Sequence, residues 1–142
     1  MNVRSKAAIL CTALLGLVLL PACASLVDYI PHRDMTFTSM DETLVRINMY
    51  MKEHHGEPPP SLAVLPVRKG YLNRTTDGWD RELQYSVDAA GVITLMSPGA
   101  DGQPGGAGLN ADIVRRYRTR NPDGSSCVDD ENWITNAEIR QR

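Results

Sequence analysis

The stretch Ser97 to Ile113 reads SPGADGQPGGAGLNADI, and five glycines, Gly99, Gly102, Gly105, Gly106 and Gly108, stand in it beside Asp101, Asn110 and Asp112. Glycine lets a backbone curl tightly at positive φ, which other residues resist. Carboxylates brought close by such a curl repel one another unless a cation or a set of N–H donors lies between them. The stretch therefore reads as a loop built to wrap an ion. Calcium suits it in particular, because that ion takes six to eight oxygens, drawn from carboxylates, amides, carbonyls and water. The competing reading is a calcium-free glycine turn in which Asp101 and Asp112 cap backbone N–H groups. A nonapeptide calcium repeat needs stacked copies, and only one is present, from Gly105 to Asn110. An EF-hand is excluded by the missing acidic ladder and terminal glutamate.

A chain of 142 residues with 42% hydrophobic and 23% charged residues has room for one ordinary globular domain. Its formal charge of -2 offers no general attraction to nucleic acid, which is not an expected partner. At the N-terminus Arg4 and Lys6 precede the apolar run Ala7 to Leu20, followed by Pro21-Ala22-Cys23-Ala24. A basic start, an apolar run too short for a bilayer and small residues after it make an export signal. "LPAC" resembles a bacterial lipobox, which implies acylation of Cys23 after removal of residues 1–22. Cleavage after Ala24 is the alternative, since Ala22-Cys23-Ala24 also fits a small-x-small site. With Cys11 in the signal and Cys23 acylated, Cys127 is left as a single thiol without an internal partner. The expected location is the cell envelope, by a lipid anchor in the membrane. In a Gram-negative cell, Ala24 after the cysteine points to the periplasmic face of the outer membrane.

Residues 23–36 lack a period and read as a tether to a globular domain over residues 37–118. Ser39-x-x-Glu42 has the form of a capping box, and Met40, Leu44, Ile47 and Met51 recur at helical steps, so a helix is expected from about Met40 to His54. Glu42 and Arg46 are expected to pair on its outer side. Gly56 and Pro58-Pro59-Pro60 end it. Leu83, Tyr85 and Val87 alternate with polar residues, Asp88 to Gly91 supplies a turn and Val92 to Met96 a second extended run, which makes a β-hairpin. A two-stranded ribbon needs a covering partner, and the helix is the candidate. The expected class is α+β: an amphipathic N-terminal helix on a small antiparallel sheet, with the glycine-rich loop toward the C-terminus. Residues 119–142 read as a polar, turn-rich tail, either anchored to the domain by Trp133 and Ile134 or partly disordered.

Together Asp77-x-Trp79-x5-Tyr85, the hairpin and SPGADGQPGGAGLNADI resemble the globular domain of the major pseudopilin, the G subunit, of type II secretion systems. The family pattern runs D-P-W-G-N-P-Y-x-Y, then S-L-G-A-D-G-x-x-G-G-x-G-x-x-A-D-I, and the likeness covers about Met40 to Tyr117. The resemblance implies calcium in the loop. By position, Asp101 and Asp112 are its expected carboxylate ligands and the carbonyl of Pro98 a third donor, with Ser97 and Asn110 as further candidates. It also implies secretion-system or other envelope proteins as partners. Asp80-Arg81-Glu82 replaces G-N-P, giving a more charged turn. After Cys23 no long apolar helix and no early glutamate appear, so stacking into a pseudopilus is not expected.

Elsewhere His54-His55 suggests a metal pair, but adjacent helical residues diverge and solvated histidines at a helix end are the plainer account. Arg115, Arg116, Arg118 and Arg120 form a basic cluster. That cluster carries the second functional reading, an envelope lipoprotein that binds an anionic polymer or lipid; a solvated strand or tail is the alternative. Trp79 and Tyr85 are expected in the core. With no G-x-S-x-G, H-E-x-x-H or phosphate-cradling G-x-x-x-x-G-K, an enzyme is not expected.

Overall fold

The computed structural model describes residues 31–139, which fall in a compact unit running from Pro31 to Arg142. The expected signal peptide, Cys23 with its expected lipid, and the tether as far as residue 30 lie outside the described residues.

Helix α1 spans His32–Glu53. It starts about two turns before the expected Met40. Its apolar stripe, Met40, Leu44, Ile47 and Met51, is fully buried as the periodicity requires. The earlier turns escape a hydrophobic pattern because their buried residues are polar. Thr36, Ser39, Thr43 and Arg46 recur at steps of three and four and form a second buried stripe. The Thr36 hydroxyl donates to the His32 carbonyl at 2.8 Å and accepts from the Gly78 N–H at 2.8 Å. Ser39 donates to the Thr76 carbonyl at 2.5 Å and Thr43 to that of Arg74 at 3.2 Å. Ser39 is therefore an interior docking residue, not an N-cap; Pro31 holds that position.

The expected outer pairing of Glu42 with Arg46 is replaced. Arg46 is buried and donates to the carbonyls of Pro66, Asn73 and Leu65 at 2.8, 2.9 and 3.3 Å. Glu42 instead pairs with Arg68 at 2.9 Å. A guanidinium with five fixed donors can brace several carbonyls at once, which is what the loop after the helix needs. The helix ends where the Gly56 N–H bonds back to the Met51 carbonyl at 2.8 Å, and the prolines follow.

The hairpin lies close to its expected place, with β1 at Gln84–Val87 and β2 at Val92–Ser97. Asp88 closes its turn by accepting the N–H groups of Ala90 and Val92, each at 2.9 Å. A third strand, β3 at Ile113–Arg118, pairs antiparallel with β2, so the sheet order is β1-β2-β3. Ile93 stands opposite Tyr117 and Leu95 opposite Arg115. Ile93, Leu95, Ile113 and Tyr117 join Met40, Leu44, Ile47, Met51 and Leu83 in one core cluster.

The segment read as a polar tail packs on this sheet as far as it is described. Trp133 opens a short helix, α2, Trp133–Asn136, and is 1% exposed. Its indole N–H donates to the Arg118 carbonyl at 2.9 Å and its ring tilts against Tyr117 at 5.6 Å. The N–H of Arg118 reaches the Ala137 carbonyl at 3.0 Å and that of Ile139 the Arg116 carbonyl at 2.8 Å, so the chain's end binds the free edge of β3.

Candidate functional site

The glycine-rich loop joins β2 to β3, and its first fixed point is a buried carboxylate that precedes it in sequence. Asp77 is 1% exposed. Its Oδ1 accepts the N–H groups of Trp79 at 2.9 Å and Arg81 at 3.0 Å, which folds residues 77–81 into a tight turn with Asp80 at φ 61°. Its Oδ2 accepts the Ser97 hydroxyl at 2.7 Å and pairs with the Arg81 guanidinium at 3.3 Å. Three hydrogen bonds and an ion pair thus satisfy a carboxylate that would otherwise be costly to bury. The same turn meets the start of α1: a Cβ on Gly78 would overlap the His32 carbonyl, so only glycine permits the approach. Trp79 stacks on His32 at 5.5 Å and is partly buried against the core, and Tyr85 donates to the Pro59 carbonyl at 2.7 Å.

From this base the loop curls through a set of reciprocal bonds. The Arg81 guanidinium donates to the Gly99 carbonyl and lies against Gly102, where a side chain would displace it. Gly99 has φ 65°, and a Cβ there would sit 2.6 Å from the Asn110 carbonyl oxygen. The two arms of the loop therefore touch backbone to backbone. Ala100 N–H reaches the Leu109 carbonyl at 2.9 Å, and the Asp112 N–H reaches the Gly105 carbonyl at 3.2 Å.

Within this frame the five residues singled out from the sequence fall into three groups. Asp101 and Asp112 both accept backbone N–H groups: Asp101 from Gln103 at 3.0 Å, and Asp112, with both oxygens, from Gly105 at 3.0 Å. Pro98 is buried at the loop's entrance and Asn110 is exposed on its return arm, with its backbone carbonyl against Gly99 and Gly106. Ser97 is fully buried and gives its hydroxyl proton to Asp77. No cluster of three or more His, Cys, Asp or Glu side chains suited to a metal occurs among the described residues. A calcium site in this loop has to consist of two carboxylates supplemented by carbonyls and water, a donor set that suits calcium in type. Each carboxylate keeps lone pairs beyond those its N–H partners use.

Sequence reasoning missed Asp77 and Arg81 as the supports of the loop. The visible signal was Arg81 itself, a charge in a turn that is neutral in the pattern the sequence resembles.

The basic cluster does not form one patch. Successive strand residues point to opposite faces, so Arg115 and Arg116 diverge. Arg115 binds Asp41 and also Glu138 at 3.1 Å, Arg116 faces Asp88 at 3.7 Å and Arg120 pairs with Glu57 at 2.9 Å. His54 stacks on Tyr50 at 3.8 Å, while His55 takes φ 56° beyond the helix. Cys127 is buried, its thiol lies 3.2 Å from the Asn121 side-chain oxygen, and burial pushes its pKa up.

No curated protein matches the chain. Residues 56–116, which hold the Asp77 turn, the hairpin, the glycine loop and most of β3, match the model of the family described as type II secretion system (T2SS), protein G, and over that stretch the chain is similar to the pseudopilins.

Proposed function

We propose that this chain is a lipid-anchored, pseudopilin-like interaction module of the bacterial cell envelope, stabilised by calcium and working with type II protein secretion or a related pilus-like machine. The observation that carries the reading is the loop between β2 and β3. It has the length, the glycines and the two acidic residues of the family's segment, and it falls within the matched residues 56–116. Asp101 and Asp112 are the carboxylates that would hold the ion, with carbonyls of the curled backbone completing the set. Bound calcium would supply fixed positive charge between the two arms, and so hold the segment leading into β3 against the rest of the domain. The module acts by presenting a surface to other envelope proteins, not by catalysis.

The second reading, an anionic polymer or lipid held by the cluster from Arg115 to Arg120, is the less favoured, since Arg115, Arg116 and Arg120 each face a carboxylate and Arg118 donates to the Asn136 carbonyl.

Melting of the full chain in detergent, with calcium and with EGTA, tests the calcium site. At a hundred times its dissociation constant the ion adds about 2.7 kcal/mol, which for a domain of this size raises Tm by roughly 10 °C. Asp101→Ala and Asp112→Ala should each shrink that shift. An unchanged Tm in the parent chain, whatever the calcium concentration, would remove the ion from the proposal. Cross-linking in envelopes, read with antibodies to secretion-system subunits, tests the partnership independently.

A further inference from the structure

Four large apolar side chains crowd one exposed stretch after α1: Val64, Val67, Tyr71 and Leu72, of which Val67 and Leu72 are 78% and 84% exposed. Exposed apolar residues gathered in this way mark a surface that something covers. The stretch is firmly held. Buried Arg46 takes the carbonyls of Leu65, Pro66 and Asn73. The Asn73 side chain accepts the Arg68 N–H at 2.7 Å and donates to the carbonyls of Arg68 and Tyr71, both at 2.8 Å. Arg68 lies 3.6 Å over the Tyr71 ring. A loop braced beforehand loses little freedom when it docks.

Two features select the covering medium. First, the carbonyls of Arg68 and Tyr71 within the loop are taken by Asn73, and those of Leu65, Pro66 and Asn73 beside it by Arg46, which lowers the cost of bringing this part of the backbone up to an apolar boundary. Second, no Asp or Glu occurs from Pro58 to Thr76, whereas Arg68, Lys69 and Arg74 do. Arg68 and Arg74 reach out to Glu42 and Asp80, and Lys69 is exposed with no ion pair among the described residues. Apolar tips with an amphipathic tyrosine and a lysine suit the boundary between acyl chains and anionic headgroups. We propose that the loop Val67 to Leu72 dips into the surface of an anionic lipid bilayer, with Val67 and Leu72 at the acyl boundary, Tyr71 at the headgroup level and Lys69 against the phosphates. The inference rests on the envelope reading above. It adds to the expected anchor a second, weaker contact that orients the domain on the membrane.

Hydrogen–deuterium exchange of the full chain on vesicles tests it. Amides of residues 67–72 should exchange severalfold more slowly on vesicles of phosphatidylglycerol and phosphatidylcholine than on phosphatidylcholine alone. The double variant Val67→Ser, Leu72→Ser should lose the difference while keeping the parent Tm, since both side chains are exposed. Flotation with the neutral vesicles reports the lipid anchor separately. A chain that floats there but shows no loop protection on anionic vesicles keeps its anchor and overturns the loop contact. One that does not float on them, yet is protected on anionic vesicles, supports the loop without the anchor. Equal protection on both lipids overturns the proposed contact with anionic headgroups, and protection that rises with protein concentration at fixed lipid overturns the membrane contact and assigns the loop to a protein surface.

Discussion

Arg81 shows how one side chain couples the turn at Asp77 to the glycine loop. Its guanidinium joins the buried Asp77 carboxylate and the Gly99 carbonyl and lies against Gly102. It thereby braces the loop's entrance with a positive charge supplied by the chain. Calcium, under the proposal, would brace the same loop through Asp101 and Asp112. Two braces on one element are not independent: removing the first leaves more for the second to do. Arg81→Gln should lower calcium-free stability by about 1 kcal/mol, a modest figure because the side chain is one-third exposed. It should also enlarge the calcium-induced rise in Tm. The same rise in parent and variant would show that Arg81 and the ion act on separate parts. No calcium response in either would remove the ion and leave Arg81 as the loop's support. The sequence made the two acidic residues and the glycines legible because their spacing is local. Asp77 was legible only as part of a motif, since its partners Ser97 and Arg81 come together through the fold.

At the level of elements, what the sequence revealed depended on whether burial was apolar. The stripe from Met40 to Met51 and the alternation around Tyr85 are visible because aliphatic residues recur at the period of a helix or a strand. The first turns of α1 were not visible, because Thr36 and Ser39 are buried for their hydrogen bonds to Gly78 and Thr76. Strand β3 was hidden by arginines that reach sideways to Asp41, Glu138 and Asp88 while Ile113 and Tyr117 alone enter the core. The final segment looked polar because its buried residues, Cys127, Val128, Trp133 and Ala137, recur at no helical or strand period. The largest of them makes a sharp prediction: Trp133→Ala removes the ring from Tyr117 and the N–H from the Arg118 carbonyl, and should cost about 3–5 kcal/mol. Limited proteolysis should then cut within residues 119–139 first, with the sheet keeping its amide protection longer. If the variant melts like the parent, α2 is an ornament on the fold and not part of it.

Across the whole molecule, the buried titratable groups set how stability responds to alkali. Burial pushes the Tyr117 and Tyr85 phenols and the Cys127 thiol above their ordinary values. Glu138, next to Tyr117, works in the same direction, while Arg115 opposes it. Each group then holds its proton more tightly folded than unfolded. Their stabilisation is fully present below the unfolded values, about 8.5 for a thiol and 10 for a phenol. It declines as pH climbs above those values, because the unfolded chain gives up its protons first. For Tyr117, fully buried, the loss reaches about 1.4 kcal/mol for each pH unit above 10 until the folded phenol itself ionises. Urea unfolding at pH 8 and pH 11 measures the total, to which lysines and other groups also contribute. Comparison with Tyr117→Phe isolates the one phenol: the variant starts lower at pH 8 if the hydroxyl's contact with Glu138 matters, but should lose about 1 kcal/mol less than the parent between the two pH values. Equal losses in the two chains would mean that Tyr117 ionises as readily folded as unfolded, and that the core joining α1, β2 and β3 opens to solvent around it.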